Sequence, residues 1–245
     1  MRDRIARAYP RVRPLVRRIT RFGLRKYCPV CRASVRGFET AGLIPRANAR
    51  CPVCRSLERH RLIWLFLRDK LGIRDGSRPV RLLHMAPEAS LARKLTRMRH
   101  IDYVSTDLRA RGVRVFADIT SMPFGDECFD AVLCSHVLEH IEDEQTALRE
   151  LVRVLSRDGW AVLDVPVRGE ITVEDAGVSS PEERQRLFGQ KDHVRYYGMD
   201  FADRLRACGF SVEVDRFAAR LPPVRRARLG LRDEPIFLCR RSSGD

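Results

Sequence analysis

Four of the eight cysteines in this 245-residue sequence have the spacing of a metal site. They form two Cys-x2-Cys pairs, Cys28 with Cys31 and Cys51 with Cys54, and 19 residues separate the pairs. The spacing is typical of a structural zinc site, in which four thiolates complete a tetrahedron around the ion. We therefore expect a zinc ion that stabilises the fold and does no chemistry. The alternatives are two disulfides or a redox-active pair, which a reducing compartment disfavours.

Acidic and polar side chains follow successive predicted strands in the second half of the chain. Asp107 follows one such strand, Asp118 follows the next, and Ser135 and His136 follow a third. Ligands of an open α/β sheet bind at the carboxyl ends of its strands, so these side chains are expected to line a ligand site. A carboxylate at Asp107 can accept both hydroxyls of a ribose. Asp118, with Ile119 beside it, suits the amino group and ring of an adenine.

The elements that position these side chains are predicted by the sequence from residue 79 onward, where short apolar runs alternate with helical segments. The alternation predicts an α/β fold with a doubly wound, mostly parallel sheet. Strands are predicted at 80–85, 101–106, 113–116, 129–134, 160–165, 210–214 and 235–240, with the last two paired. Helices are predicted at 89–98, 142–155 and 201–208, and a turn is predicted at Asp158-Gly159.

Several segments resemble, in order and spacing, the class I S-adenosylmethionine-dependent methyltransferases, and most closely their small-molecule, type 11-like branch. The segments are Tyr103-Val-Ser-Thr-Asp107, Ala117-Asp-Ile-Thr-Ser-Met-Pro-Phe124, Phe129-Asp-Ala-Val-Leu-Cys-Ser-His-Val-Leu-Glu-His-Ile141, and 148–155 followed by Asp158-Gly159. The resemblance extends over residues 80–240. It implies a seven-stranded Rossmann-like sheet with an antiparallel last strand and S-adenosylmethionine as cofactor.

The resemblance also implies where each part of the cofactor binds. By position, Asp107 would hold the ribose, with Leu108 beside it in the cofactor site. Asp118 and Ile119 would contact the adenine. Ser135 and His136 would lie near the methionine part of the cofactor.

The loop after the first strand departs from the family pattern, because it contains no glycine where the backbone approaches the cofactor. Ala86 is small enough to replace one glycine, and Pro87 suits the first position of the following helix. His84 and Glu88 could contact the amino acid part of the cofactor. Alternatively, His84 is a packed core residue and Glu88 is an acid matched to the helix dipole.

The long segment 167–199 is expected to cover the substrate, since it exceeds the length of a plain connection. Within it, His193 follows Asp192 and is the best candidate for a general base that removes a proton from the acceptor. A purely structural His193 is the alternative. For His140 we favour a position at the start of the helix that follows over a catalytic role.

The chain divides into four predicted segments. Residues 1–26 form a basic arm that docks in part on the body, and 27–55 form the four-cysteine zinc ribbon. Residues 56–78 form a connecting helix and a linker, with Ser56 as the N-cap and an apolar run at 62–67 buried on every side. Residues 79–245 form the methyltransferase domain.

The formal net charge of +15 lies in two segments, since 1–26 carries +9 and 216–232 carries +6. An anionic partner such as RNA would explain this charge. A need for solubility combined with an arginine-rich composition would also explain this charge, since only four of the 47 basic residues are lysine.

The hydrophobic content of 44% excludes a disordered chain. No apolar stretch has the ~20 residues of a membrane span. The amino-terminal segment also has no apolar core of a secretory signal. We therefore expect a cytoplasmic protein.

Together these features predict methyl transfer from S-adenosylmethionine to a small-molecule or carrier-bound acceptor. One alternative is an RNA base methyltransferase, because an N-terminal zinc module joined to such a domain also resembles certain ribosomal RNA guanine methyltransferases. Another is a noncatalytic interaction module that keeps the fold and has lost the cofactor. The sequence assigns neither the acceptor atom nor the oligomeric state.

Overall fold

The computed structural model describes residues 16–242, and they form two compact units. The first unit contains residues 16–75, together with Glu88–Arg97 and Arg216–Glu234. The second contains Gly76–Pro87, Met98–Asp215 and residues 235–242. Of the predicted basic arm, residues 1–15 lie outside the described part. No helix in the described part is both long and apolar enough to cross a bilayer.

Within residues 16–242, the first unit contains two short hairpins, helical residues 16–20 and three further helices. Strands β1 (Phe22–Cys28) and β2 (Ala33–Val35) pair antiparallel, and so do β3 (Glu39–Ala41) and β4 (Arg46–Arg50). The three further helices are α1 (Glu58–Asp69), α2 (Ala89–Leu95) and α6 (Pro223–Leu229). Cys28 ends β1 and Cys51 directly follows β4, so each hairpin presents one Cys-x2-Cys pair.

Helix α1 begins at Glu58 with Leu57 as its N-cap, so the predicted N-cap at Ser56 is wrong. The Ser56 hydroxyl instead lies 3.3 Å from Cys28 Sγ and 3.2 Å from Cys54 Sγ, where it cannot cap the helix. The apolar run 62–67 is buried on every side, as predicted.

A fully buried arginine, Arg61, joins the second hairpin to the carboxyl end of α6. Its guanidinium donates hydrogen bonds to the carbonyl oxygens of Ala49 (2.9 Å), Leu229 (2.8 Å) and Gly230 (2.7 Å). Burial lowers the pKa of Arg61, while the charges of Cys28 and Glu58 act in the opposite direction. Since a buried charge is costly unless it is paired, these carbonyls and the nearby sulfurs are part of what keeps Arg61 inside.

The second unit contains a seven-stranded sheet in the order β12-β13-β9-β8-β5-β6-β7. Its strands are β5 (Val80–Met85), β6 (Ile101–Asp107), β7 (Val115–Phe116), β8 (Phe129–Ser135), β9 (Leu155–Asp164), β12 (Phe210–Asp215) and β13 (Ile236–Arg241). All neighbouring strands are parallel except β13, which is antiparallel to both β9 and β12. This confirms the mixed seven-stranded, Rossmann-like sheet with an antiparallel last strand.

Three helices, a short 3-10 turn and a small two-stranded sheet complete the second unit. They are the turn at Leu138–His140, α3 (Glu144–Val154), α4 (Pro181–Phe188), α5 (Phe201–Ala207), β10 (Val173–Glu174) and β11 (Arg195–Tyr196). Helix α3 begins two residues later than predicted, because the Asp143 carboxylate caps it by accepting the Thr146 N–H at 3.0 Å.

The predicted turn at Asp158-Gly159 is an irregularity inside strand β9 instead. The partner of Phe129 in β9 is Leu155, whereas the partner of Ala131 is Trp160. The extra residues of β9 therefore bulge out between two paired stretches, and the Asp-Gly pair allows this without ending the strand.

Candidate functional site

The candidate site lies in the second unit, where β5 has β6 on one side and β8 on the other. Here the strand order reverses, and ligands of an open α/β sheet bind at such a point, beside the carboxyl ends of the strands. The backbone N–H of Ala86 donates to Thr106 O at 2.8 Å, and the N–H of His136 donates to Asp164 O at 2.8 Å. These contacts bring the predicted loops together at one edge of the sheet.

Ala86 has a left-handed backbone conformation, with φ of 41°. It stands where the resembling family has glycine, and it adopts a conformation that glycine adopts without strain. Pro87 does not begin the following helix, because Glu88 is the N-cap and α2 begins at Ala89. The prediction for Pro87 is therefore wrong.

Replacing Ala86 by glycine is expected to raise the melting temperature. A non-glycine residue in the left-handed region costs about 1–2 kcal/mol, and the added flexibility of glycine offsets roughly 0.5–1 kcal/mol of that gain. Thermal unfolding of the two proteins measures the effect. The matched control is Ala92→Gly inside α2, which should lose about 1 kcal/mol. Equal losses in both variants would mean that Ala86 is not strained.

Asp107 ends β6, and its carboxylate shapes the loop that follows. Its Oδ1 atom accepts the backbone N–H groups of Arg109 and Ala110, both at 2.7 Å. Within residues 16–242, its Oδ2 atom has no hydrogen-bond partner, so that oxygen is open to a ligand. Leu108 beside it is 55% exposed, although it is a large apolar side chain.

Asp118 and Ile119 point to different environments. Asp118 is exposed, and its Oδ1 accepts the N–H and the hydroxyl of Thr120, both at 2.8 Å. Ile119 is only 4% exposed and belongs to the hydrophobic core of this unit. Its packing contacts are therefore with the core.

Ser135, His136 and Asp164 meet at the ends of β8 and β9. The Ser135 hydroxyl donates to Asp164 Oδ2 at 3.0 Å, and His136 Nδ1 lies 2.9 Å from Glu139 Oε1. His136 has φ of 55°, and such strained residues cluster at ligand sites. Burial raises the pKa of Glu139, but the hydrogen bond and charge of His136 outweigh it and lower that pKa overall.

The two remaining residues predicted for the cofactor have protein neighbours of their own. His84 is fully buried in β5, and its Nδ1 lies 3.0 Å from the Tyr103 hydroxyl, which favours the core alternative. Glu88 belongs to the first unit, where its Oε1 lies 3.6 Å from His60 Nε2.

The long segment 167–199 is held against the 138–142 turn by Arg195, a residue that the sequence did not single out. Its guanidinium donates to the carbonyl oxygens of Leu138 (3.0 Å), Ile141 and Glu142 (3.0 Å). Its Nε also donates to Glu174 at 2.8 Å, across the small sheet β10–β11. The segment is therefore fixed at the end that carries His193.

His193 is 3% exposed, and its Nδ1 lies 3.1 Å from Phe188 O. Burial lowers its pKa. The carboxylate of Asp192 lies 3.3 Å from Nδ1 of His140, so the Asp-His contact forms with His140. His140 ends the 3-10 turn and does not start α3, so its predicted position is wrong.

The four cysteines of the predicted zinc site come together in the first unit, with their sulfurs within 4.8 Å of one another. Cys28 Sγ lies 3.6 Å from Cys54 Sγ, and Cys31 Sγ lies 3.8 Å from Cys51 Sγ. Both distances are far longer than the S–S bond of a disulfide, which is about 2.05 Å. Two thiolates on one zinc ion lie about 3.8 Å apart, since Zn–S bonds are about 2.3 Å in a tetrahedron.

Residues 85–163 match the family described as a methyltransferase domain. Ajmaline N-methyltransferase of Rauvolfia serpentina is 31% identical over 67 residues, which are 27% of this chain and 23% of that enzyme. Demethylmenaquinone methyltransferase of Mycobacterium tuberculosis (strain H37Rv) is 46% identical over 50 residues, which are 20% of this chain and 21% of that enzyme. The chain thus spans only about a quarter or less of these relatives.

Among solved structures, the [4+2]-cyclase SpnF is similar in fold. The superposition has a TM-score of 0.50 with 19% sequence identity, and it covers 73% of this chain and 81% of that one. At this identity the similarity concerns the fold alone, and one fold supports several activities.

Proposed function

We propose that this protein transfers a methyl group from S-adenosylmethionine to a small-molecule or carrier-bound acceptor. The observation that carries the proposal is the ordered set of polar residues at the carboxyl ends of the sheet, at the point where the strand order reverses. The match of residues 85–163 to a methyltransferase domain supports it independently. Methyltransferases also recur among the relatives that are similar over short stretches.

In this proposal the cofactor lies across the ends of β5, β6 and β8. The open Oδ2 of Asp107 accepts from the ribose, and the exposed Leu108 covers an apolar face of the cofactor. Asp118 provides a carboxylate near the adenine. Ala86 lets the backbone approach closely, because its side chain is a single methyl group.

The methionine end of the cofactor would lie near Ser135 and His136, which Asp164 and Glu139 hold in place. When bound, S-adenosylmethionine supplies an electrophilic methyl group on a sulfonium. The protein's contribution is to align the acceptor in line with that methyl group and to exclude water. A role for His193 as the base stays a prediction of the sequence, since an acceptor reaches its buried ring only if the surrounding segment moves.

We also propose that Cys28, Cys31, Cys51 and Cys54 hold a structural zinc ion. The sulfur–sulfur distances of 3.6 and 3.8 Å support a tetrahedral site of four thiolates. Burial lowers the pKa of Arg61 on the same unit, and the negative charge of the cysteine sulfurs acts against that effect. With four protein ligands the ion would have no open position, so its role would be to hold the two hairpins together.

RNA base methylation is a second candidate because the end of the first basic segment contacts the second basic segment in the first unit. Lys26 Nζ donates to Ala227 O at 2.6 Å, which brings residues 216–232 beside strand β1. Burial and the charge of Arg25 lower the pKa of Lys26, as expected where basic groups are concentrated. Such a surface would attract phosphates.

The proposal is tested with methyl-labelled S-adenosylmethionine and the full chain. One reaction receives a small-molecule extract of cells that express the protein, another their carrier proteins, and a third their total RNA. We expect label in one of the first two fractions. Label in RNA would establish the second candidate, and no label in any fraction, with no cofactor binding, would favour a noncatalytic module.

A further inference from the structure

We propose that Glu139, His140 and His193 form a second metal site, which takes a divalent first-row transition ion such as Zn²⁺. One nitrogen of each ring and one carboxylate oxygen lie within 4.8 Å of one another. The site lies in the second unit, whereas the four cysteines lie in the first. It does not depend on the proposed methyl transfer.

Two buried acceptor atoms at this site have no protein partner within residues 16–242. They are Oε2 of Glu139 and Nε2 of His193, and each has less than 1 Å² of exposed surface. A carbonyl oxygen can only accept, so the 3.1 Å contact with Phe188 O places the His193 proton on Nδ1 and leaves a lone pair on Nε2. Two buried acceptors without donors are costly, and a cation between them removes that cost.

The surroundings of the three residues match those of metal ligands, whose other polar atoms are held by an outer shell. His193 Nδ1 donates to Phe188 O, and His140 Nδ1 faces the backbone oxygen of Asp192 at 3.2 Å and its carboxylate at 3.3 Å. The remaining oxygen of Glu139, Oε1, lies 2.9 Å from His136 Nδ1. The proposal takes Oε2 of Glu139 and Nε2 of each histidine as the ligand atoms, so each ligand is oriented through its other polar atom.

The backbone fixes the same arrangement. The N–H of Val194 donates to Glu139 O at 2.9 Å, which ties the residue after His193 to the turn that carries the other two ligands. Arg195 holds that turn through the carbonyls of Leu138 and Glu142. The rings of His140 and His193 meet edge to face with centroids 4.8 Å apart.

The ligand set selects the class of ion. Two imidazoles and one carboxylate suit zinc and neighbouring divalent ions better than magnesium or calcium, which prefer oxygen ligands. Nitrogen and oxygen ligands on a tetrahedral zinc ion lie about 3.4 Å from one another. The three ligand atoms lie within 4.8 Å of one another here, so side-chain movements of about an ångström would bring them to that separation. Three protein ligands leave at least one coordination position of the ion open. His140 is the partly exposed ligand of the three.

The test is the zinc content of the purified full chain after equilibrium dialysis against micromolar Zn²⁺. Because the cysteine site contributes equally to every variant, the difference in zinc content between variants reports on the second site alone. We expect Glu139→Gln and His193→Gln to bind one zinc ion fewer per chain than the unmutated protein. Asp192→Ala, whose carboxylate is 71% exposed, should weaken the same ion about tenfold, the lower end for loss of an outer-shell partner.

His100→Gln is the matched control, since it removes an imidazole of the same unit that lies outside the cluster. Its zinc content should equal that of the unmutated protein, and circular dichroism checks the fold of every variant. If His193→Gln does not fold, the zinc contents of Glu139→Gln and Asp192→Ala still test the second metal site. Equal zinc content in Glu139→Gln and the unmutated protein overturns the site, whatever the outcome of the methyl-transfer test.

Discussion

Replacing Cys51 by serine is expected to remove one zinc ion per chain and to unfold the first unit. Its sulfur lies 3.8 Å from that of Cys31, inside a cluster of four cysteines. Binding of a structural zinc ion supplies about 10–16 kcal/mol, while whole domains are stable by only about 5–15 kcal/mol. Loss of one ligand therefore removes a binding free energy comparable to the entire free energy of unfolding of this small unit.

Metal analysis and thermal unfolding measure the two effects. Cys128→Ser is the matched control, because Cys128 is a partly exposed cysteine of the second unit. It should leave metal content unchanged. A strong chelator should reproduce the effect of Cys51→Ser on the unmutated protein. Four sulfurs paired as disulfides in reducing buffer, or unchanged zinc in Cys51→Ser, would refute the zinc ribbon.

The second large effect is expected at Asp107, whose substitution by asparagine should weaken S-adenosylmethionine binding about 10- to 150-fold. A hydrogen bond to a charged acceptor contributes about 1.5–3 kcal/mol, and each 1.4 kcal/mol is a tenfold change in affinity. Asparagine keeps an oxygen that can accept from Arg109 and Ala110, so the loop keeps its shape. Alanine removes that oxygen too and should lower stability as well as affinity.

Calorimetric titration with S-adenosylmethionine and S-adenosylhomocysteine gives both affinities. Asp102→Asn is the matched control, because Asp102 lies near the start of the same strand and pairs there with Arg81 and Arg114. It should bind the cofactor as the unmutated protein does. Equal affinities for Asp107→Asn and the unmutated protein would show that Asp107 does not hold the ribose. No binding by the unmutated protein at millimolar cofactor would favour the noncatalytic module.

Local patterns in the sequence determined several features of this protein. The two Cys-x2-Cys pairs predicted a cluster of four sulfurs, and a turn of two residues directs the two thiols of each pair to the same side. Alternation of apolar strands and helical segments determined the sheet, since buried parallel strands require continuous apolar runs. The polar residue after each strand then marked the candidate site, because all parallel strands end at the same edge.

Only the tertiary structure decided which side chains meet across distant segments. Arg61 looks like any helical arginine, yet carbonyls from residues 49 and 229–230 enclose it. The sequence places Asp192 next to His193, but the backbone turns its carboxylate to His140, and His193 faces Glu139 from 54 residues away. Such contacts depend on how the chain returns to the sheet edge, and spacing along the sequence does not predict that path.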